Sequence, residues 1–187
     1  SDACNFNNVY VFLIPKSGNY VSDIQKKLVI DSINKTKTLT TNVVPSDPIY
    51  INFGIATPTA SITEDDVDTS TLQITKASNS NSSDVDLRTT VYNTILNYFD
   101  ERSSMFSNVV DVYELNTLIL NISGVQAVHT VNGSVSNTGL QMYQFNPQFP
   151  DKVYTTPPSN LFSEIFVPRL YDNNLFNKII ITNSNGN

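Results

Sequence analysis

The chain has 187 residues, a formal net charge of −6, 40% apolar residues and only 15% charged ones. This length suits one domain, or a domain with an extension, and is enough to bury most of the surface of the unfolded chain. The acidic balance excludes broad nucleic-acid binding, which needs a basic footprint.

A single cysteine, Cys4, excludes an internal disulfide. No apolar run approaches the roughly 20 residues of a membrane span, and no secretory leader pattern is visible. The chain opens Ser1-Asp2 without Met, so a fragment or a processed product is expected. Asn, Ser and Thr fill the polar surface in place of charge, which makes it less self-repelling and tolerant of close contact with other protein. Charge is uneven along the chain. Lys16, Lys26, Lys27, Lys35 and Lys37 come early, no Lys or Arg occurs from Thr38 to Thr75, and Glu64, Asp65, Asp66 and Asp68 sit together. The acidic group reads as a solvated face.

Val9–Ile14 is an uninterrupted apolar run of β-formers, ended by Pro15, and predicts a central strand buried on both faces. Ser22-Asp23-Ile24-Gln25 is a capping-box pattern that opens a helix. Val21, Ile24, Leu28 and Ile33 form its approximate apolar stripe, while Asp23 and Lys35 suit its dipole. Residues 36–48 read as a loop. Ile49, Ile51, Phe53 and Ile55 alternate with Tyr50, Asn52 and Gly54, which predicts a strand with one apolar face. The polar stretch 59–83 reads as an inserted loop or hairpin excursion with a short strand at Leu72–Thr75, and its length points to function or mobility.

Asp84 or Asp86 can cap a second helix, on which Val91, Tyr92, Ile95, Leu96 and Phe99 recur at helical spacing until about Arg102. Asp111 with Glu114 repeats the cap for a third helix, lined on one face by Val112, Leu115, Ile119 and Ile122. Gly124 reads as the residue just past its end, and Val125–Val131 as a strand. Asn132-Gly133 is a hairpin signal. Beyond 137 the character shifts. Pro147, Pro150, Pro157 and Pro158 interleave with aromatic residues, and Ile179–Ile181 is a short final strand at most. The expected fold is α+β: a small mixed sheet with about three helices over residues 1–137, then an irregular aromatic and Pro-rich arm over 138–187.

Val9–Lys16 (V-Y-V-F-L-I-P-K), a helix, and then Leu39–Ile55 (L-T-T-N-V-V-P-S-D-P-I-Y-I-N-F-G-I) resemble the baseplate J-like proteins of contractile-tailed phages. Thr90–Asp100, Tyr113–Ile122 and Gly124-Val125-Gln126-Ala127-Val128 are similar to the family's closing segment, where a helix ending in Gly-Val leads into a strand. The resemblance covers residues 9–131. Within the family, the acidic, Asn-rich style and long tail look most like the C-terminal part of the large wedge subunit of T-even-type baseplates. It implies a structural virion protein of the phage tail baseplate, assembled in the host cytoplasm. Such a wedge component joins wedges into a ring through self-association, as a homodimer, and through contacts with other wedge proteins. It implies no catalytic residue and no cofactor.

Candidate sites carry little chemistry. His129 is the only histidine; it is in phase with Val125, Ala127 and Val131, so it is expected to face the core as a structural residue. With no G-x-S-x-G element, no Ser-His-Asp triad is readable. Cys4 lies near the terminus, without an evident base. Asp66 and Asp68 begin a calcium-loop pattern that Ser70 and Thr71 break. Sequons at Asn34, Asn81, Asn121 and Asn132 fit chance in so Asn-rich a chain. The interface candidates are the aromatic and apolar residues of the arm: Phe162, Phe166, Leu170, Tyr171 and Phe176. The competing reading is that they complete the intramolecular core. An alternative function is a receptor- or carbohydrate-binding tail module using exposed tyrosines and the 59–83 loop. An enzyme would need a polar pocket around His129.

Overall fold

A computed structural model describes residues 8–16, 20–36, 41–56, 69–106, 109–133, 135–145, 153–155, 166–172 and 174–184. The fold is α+β with small mixed sheets, and the chain divides into two units, Ser1–Ile49 and Tyr50–Asn187.

In the first unit, strand β1 (Asn8–Phe12) pairs in parallel with β2 (Asn42–Ser46), with Asn8 opposite Asn42 and Phe12 opposite Ser46. Parallel neighbours need a crossover, and helix α1 (Asp23–Asn34) lies between them in sequence. Its capping box forms as expected. Ser22 Oγ accepts from Gln25 N–H (3.3 Å), and Gln25 Oε1 accepts from Ser22 N–H (3.1 Å). Lys26 Nζ ties the helix to Asp47 Oδ2 at 2.6 Å.

Three expectations are corrected in this unit. The segment expected as a loop over 36–48 contains β2. The first strand is not buried on both faces, since Val9 is 48% and Tyr10 59% exposed. An apolar run reports β-propensity but not how many strands flank it, and here one does. The helix also turns a different stripe inward. Lys26, Val29, Ile30 and Ile33 are half-buried, whereas Ile24 and Leu28 are 76% and 64% exposed.

The second unit holds two four-stranded sheets. One runs β10 (Ile179–Asn183), β4 (Thr71–Lys76), β5 (Val125–Asn132), β6 (Val135–Thr138). In it β10 and β4 are parallel and the other pairs antiparallel. The other runs β8 (Val153–Thr155), β7 (Met142–Phe145), β3 (Ile49–Ile55), β9 (Phe166–Leu170). Helix α2 (Asp84–Ser103) packs Leu87, Val91, Ile95, Tyr98 and Phe99 into a core shared with Ile51 and Phe53 of β3 and with Leu72 and Ile74 of β4. Helix α3 (Val112–Leu120) adds Leu115 and Ile119, and the single-turn α4 (Leu175–Lys178) adds Leu175. Burying each such side chain contributes roughly 1.5–3 kcal/mol of transfer free energy.

The alternation read from β3 holds, with Ile51, Phe53 and Ile55 buried. Asp111 caps α3 through the amides of Tyr113 (2.8 Å) and Glu114 (3.2 Å), as expected. The hairpin expected at Asn132-Gly133 forms one residue later, since Asn132 still pairs with Val135 and Gly133, at φ +57°, opens the β5–β6 turn. Other readings change. The cap of α2 is Ser83, whose Oγ accepts from Asp86 N–H (3.1 Å), rather than Asp84 or Asp86. The short strand expected at Leu72–Thr75 forms as β4, but as an inner strand of a four-stranded sheet, with Leu72 and Ile74 at 0% exposure, and not as part of a loop excursion. Residues 57–68 lie outside the described residues. Gly124 has φ +95° but follows the α3 C-cap, Asn121, by three residues. It sits in a turn closed by Val125 N–H on Ile122 O (3.0 Å), and its own carbonyl accepts from Ala77 N–H (2.8 Å).

The described part of 138–187 is not an irregular arm. It supplies β7, β8, β9, α4 and β10, and β10 pairs along the whole of β4, from Ile179 opposite Leu72 to Asn183 opposite Lys76. Prolines limit helices in this region, but they leave short strands free to complete sheets begun earlier in the chain.

Candidate functional site

The interface candidates from the C-terminal segment find partners inside the chain. Phe166 and Leu170 of β9 are half-buried against the main core. Tyr171 donates its N–H to Phe53 O (2.7 Å), and its ring lies 4.7 Å from that of Phe145 in a second small cluster with Ala56 and Tyr143. Phe176 meets Tyr92 edge-on at 5.5 Å, under the Arg88 guanidinium at 5.8 Å. Tyr92 Oη donates to Asp172 Oδ2 (2.7 Å), a bond that, with burial, raises the phenol above its ordinary pKa. Phe166 and Leu170 thus pack on the main core, Tyr171 on the smaller cluster and Phe176 on Tyr92. Phe162 lies outside the described residues.

His129 is half-buried on β5, opposite Gln73 of β4. It shares a face with Ala127 and Val131, and the buried side chains of the strand are Val128 and Thr130. The expectation that it faces the core is therefore corrected. The β4–β5 register slips between Thr75 and Lys76, so Val125 packs on the core while Ala127, His129 and Val131 take the other face. Cys4, Glu64, Asp65, Asp66 and Asp68 lie outside the described residues. Among those described, no three His, Cys, Asp or Glu side chains stand where they could hold one metal ion, and no helix is long and apolar enough to cross a membrane.

Among the described residues, each unit has an open cleft. In the first unit a cavity of about 450 Å³ is lined by Leu13, Ile14, Pro15 and Lys16 after β1 and by Tyr20, Val21, Gln25, Leu28 and Val29 at the start of α1. In the second unit a polar cleft of about 560 Å³ is lined by Asn79, Ser80, Asn81, Ser82, Ser123 and Gly124. The first offers an apolar floor with one cation at its rim. The second offers only hydroxyls, amides and backbone, beside the capped start of α2.

The larger feature is exposed apolar surface on ordered elements. Besides Ile24 and Leu28 on α1, helix α3 exposes Tyr113 (80%), Leu118 and Leu120, next to Met105 and Val109 in the segment leading into it. Val112, Leu115, Ile119 and Ile122 account for one face of α3 in the sequence pattern and leave these residues over. The signal was present: a helix with apolar residues on every side needs cover on every side. Comparison with protein-family models and with curated proteins finds no match to this chain.

Proposed function

We propose that the chain is a structural component acting through protein–protein contacts, as a wedge subunit of a contractile-tail baseplate in a phage virion. The observation that carries the reading is the apolar surface left on fixed elements, above all on α3 and α1, in a chain with so few charges. Large apolar side chains grouped on ordered elements mark interaction surfaces, whereas single scattered ones do not. The resemblance of residues 9–131 to baseplate J-like proteins supplies the kind of assembly: self-association, as a homodimer, and contact with other wedge proteins. Rigid units joined by largely uncharged interfaces can rearrange during contraction without stranding buried charge.

Sedimentation of the full chain across concentration, alone and mixed with baseplate wedge proteins, tests the reading. Self-association, or a heavier species in the mixture, is expected. A chain that stays monomeric in both settings overturns it. A second reading, a carbohydrate- or receptor-binding module, draws on the cleft edged by Tyr20, Gln25 and Lys16. Thermal stabilisation by sugars, abolished by Tyr20→Ala, would favour that alternative.

A further inference from the structure

We infer that Asn132-Gly133, at the β5–β6 turn, is a site of spontaneous modification, where the folded chain converts an asparagine amide into an aspartyl or isoaspartyl carboxylate. The inference is independent of the baseplate reading. Asparagine is a chemically labile residue. Its amide is attacked by the backbone nitrogen of the next residue, so the side chain there and the hold on that nitrogen set the rate. Glycine follows asparagine at two places, 132–133 and 185–186. The second lies outside the described residues. At the first, Gly133 is exposed and has no side chain to shield its nitrogen. Apart from its chain neighbours, no atom lies within 4 Å of where a Cβ would stand. Among the described residues, no hydrogen bond engages the Gly133 N–H. Asn132 Oδ1 accepts from Thr69 Oγ1 at 3.3 Å, a donor placed where negative charge develops during the attack.

The step balances with water as the only other reactant. Gly133 N bonds to Asn132 Cγ and gives up its proton, the Cγ–Nδ2 bond breaks, and the amide nitrogen leaves with that proton as ammonia. Water then opens the cyclic imide at either carbonyl, leaving aspartate or isoaspartate at 132. Asn132 itself is in extended backbone and pairs with Val135, a conformation that turns Cγ away from the following nitrogen. Opening of this last pair of the hairpin is therefore the gate. Strand β6 has four residues and lies at the edge of its sheet, where pairs open at low cost. The product adds a negative charge to a chain already at −6. Isoaspartate also lengthens the backbone between β5 and the turn, so the β5–β6 register cannot re-form unchanged.

The test is peptide mapping of the full chain after incubation in warm, mildly alkaline buffer, folded and in guanidinium chloride, with fragment ions placing each converted residue. The half-life of Asn132 in the unfolded chain sets the clock. Over many such half-lives the folded chain is expected to convert Asn132 to the acid, more slowly than the unfolded chain does, with isoaspartate read by enzymatic methylation. Converted molecules lose amide-exchange protection at Thr130 and Asn132. Asn132→Gln, which must close a larger ring, keeps its amide throughout, and circular dichroism verifies its fold. If Asn132 of the folded wild type is still an amide after that time, the site is overturned, whatever happens at Asn185. Conversion as fast folded as unfolded would overturn the gating by β6.

Discussion

Gln144 is fully buried in β7 at 0% exposure, and among the described residues neither its Nε2 nor its Oε1 finds a hydrogen-bond partner. It lies opposite Phe53 in the β3–β7 register, and neighbouring side chains of one strand alternate faces, so it shares the core side of the sheet with Phe53 and Met142. A buried amide without partners carries its desolvation penalty uncompensated, about 1–3 kcal/mol. Methionine is close in volume, unbranched and free of that penalty. Gln144→Met is therefore expected to stabilise the protein by about 1–3 kcal/mol, at roughly 2–4 °C of melting temperature per kcal/mol for a chain of this size. Gln144→Glu should act oppositely. Burial raises the pKa of the introduced carboxyl, so that variant is least impaired at acid pH and loses stability as pH rises past the ordinary carboxylate range. Chemical denaturation of the three proteins at matched pH decides the matter. A Gln144→Met variant no more stable than wild type would refute the reasoning, because the amide would then be satisfied, for example by ordered water.

Two further perturbations follow from the fold. Gly124→Ala forces a side chain into φ +95° and brings its Cβ onto Ser80, 3.2 Å from Ser80 Cβ and closer still to Oγ. The backbone alone costs about 1–2 kcal/mol, and an unchanged urea midpoint would remove Gly124 from that turn. Deleting residues 174–187 strips Leu175 and Ile179 from the core and leaves one edge of β4 unpaired. Loss of near-ultraviolet circular dichroism and of amide protection along Leu72–Thr75 is expected, and a truncated chain that keeps both would restore the reading of this segment as a dispensable arm.

What was legible in the sequence was local. Ser22 with Gln25, Asp111 with Glu114, and Asn132-Gly133 act within a few residues of themselves, so their chemistry shows in the order of residues. Strand β3 was also visible, because its period of two is fixed by burial on one face. What failed depended on partners far along the chain. Leu72–Thr75 sits among polar residues and becomes an inner strand only because β5 and β10 flank it, the latter more than 100 residues away by register. The same remoteness made the C-terminal aromatics look like an arm. Val9–Ile14 erred the other way, since its composition suits a doubly flanked strand and its sheet has two members. The exposed residues of α3 needed no distant partner. Tyr113, Leu118 and Leu120 were readable as surplus apolar side chains once the inward face had been assigned.

A docking face is useful only if it is held still, and Tyr98 holds α3. Its hydroxyl donates to Asp111 O (2.9 Å) and accepts from Asp111 N–H (2.8 Å), fixing the residue that caps the helix. Arg102 lies 3.5 Å over the Tyr98 ring and donates to Val109 O (3.2 Å), joining the end of α2 to the segment before α3. At the far side Asn116 Oδ1 accepts from Leu140 N–H (3.0 Å). A face fixed in this way loses little further freedom on docking, which favours affinity without adding contacts. Tyr98→Phe removes both bonds to Asp111 and strands its N–H, at about 1–3 kcal/mol. Burial, the largest influence, raises the Tyr98 pKa above 10.0, with Arg102 and the backbone bond to Asp111 opposing. The neutral phenol is thus favoured in the folded state. Its contribution is complete below about pH 10 and falls as pH climbs through the raised value. The variant should be less stable at neutral pH and flatter in its alkaline loss. Tyr143, also raised by burial, keeps part of the alkaline dependence in the variant. A Tyr98→Phe protein as stable as wild type at neutral pH would show that the helix needs no such anchoring.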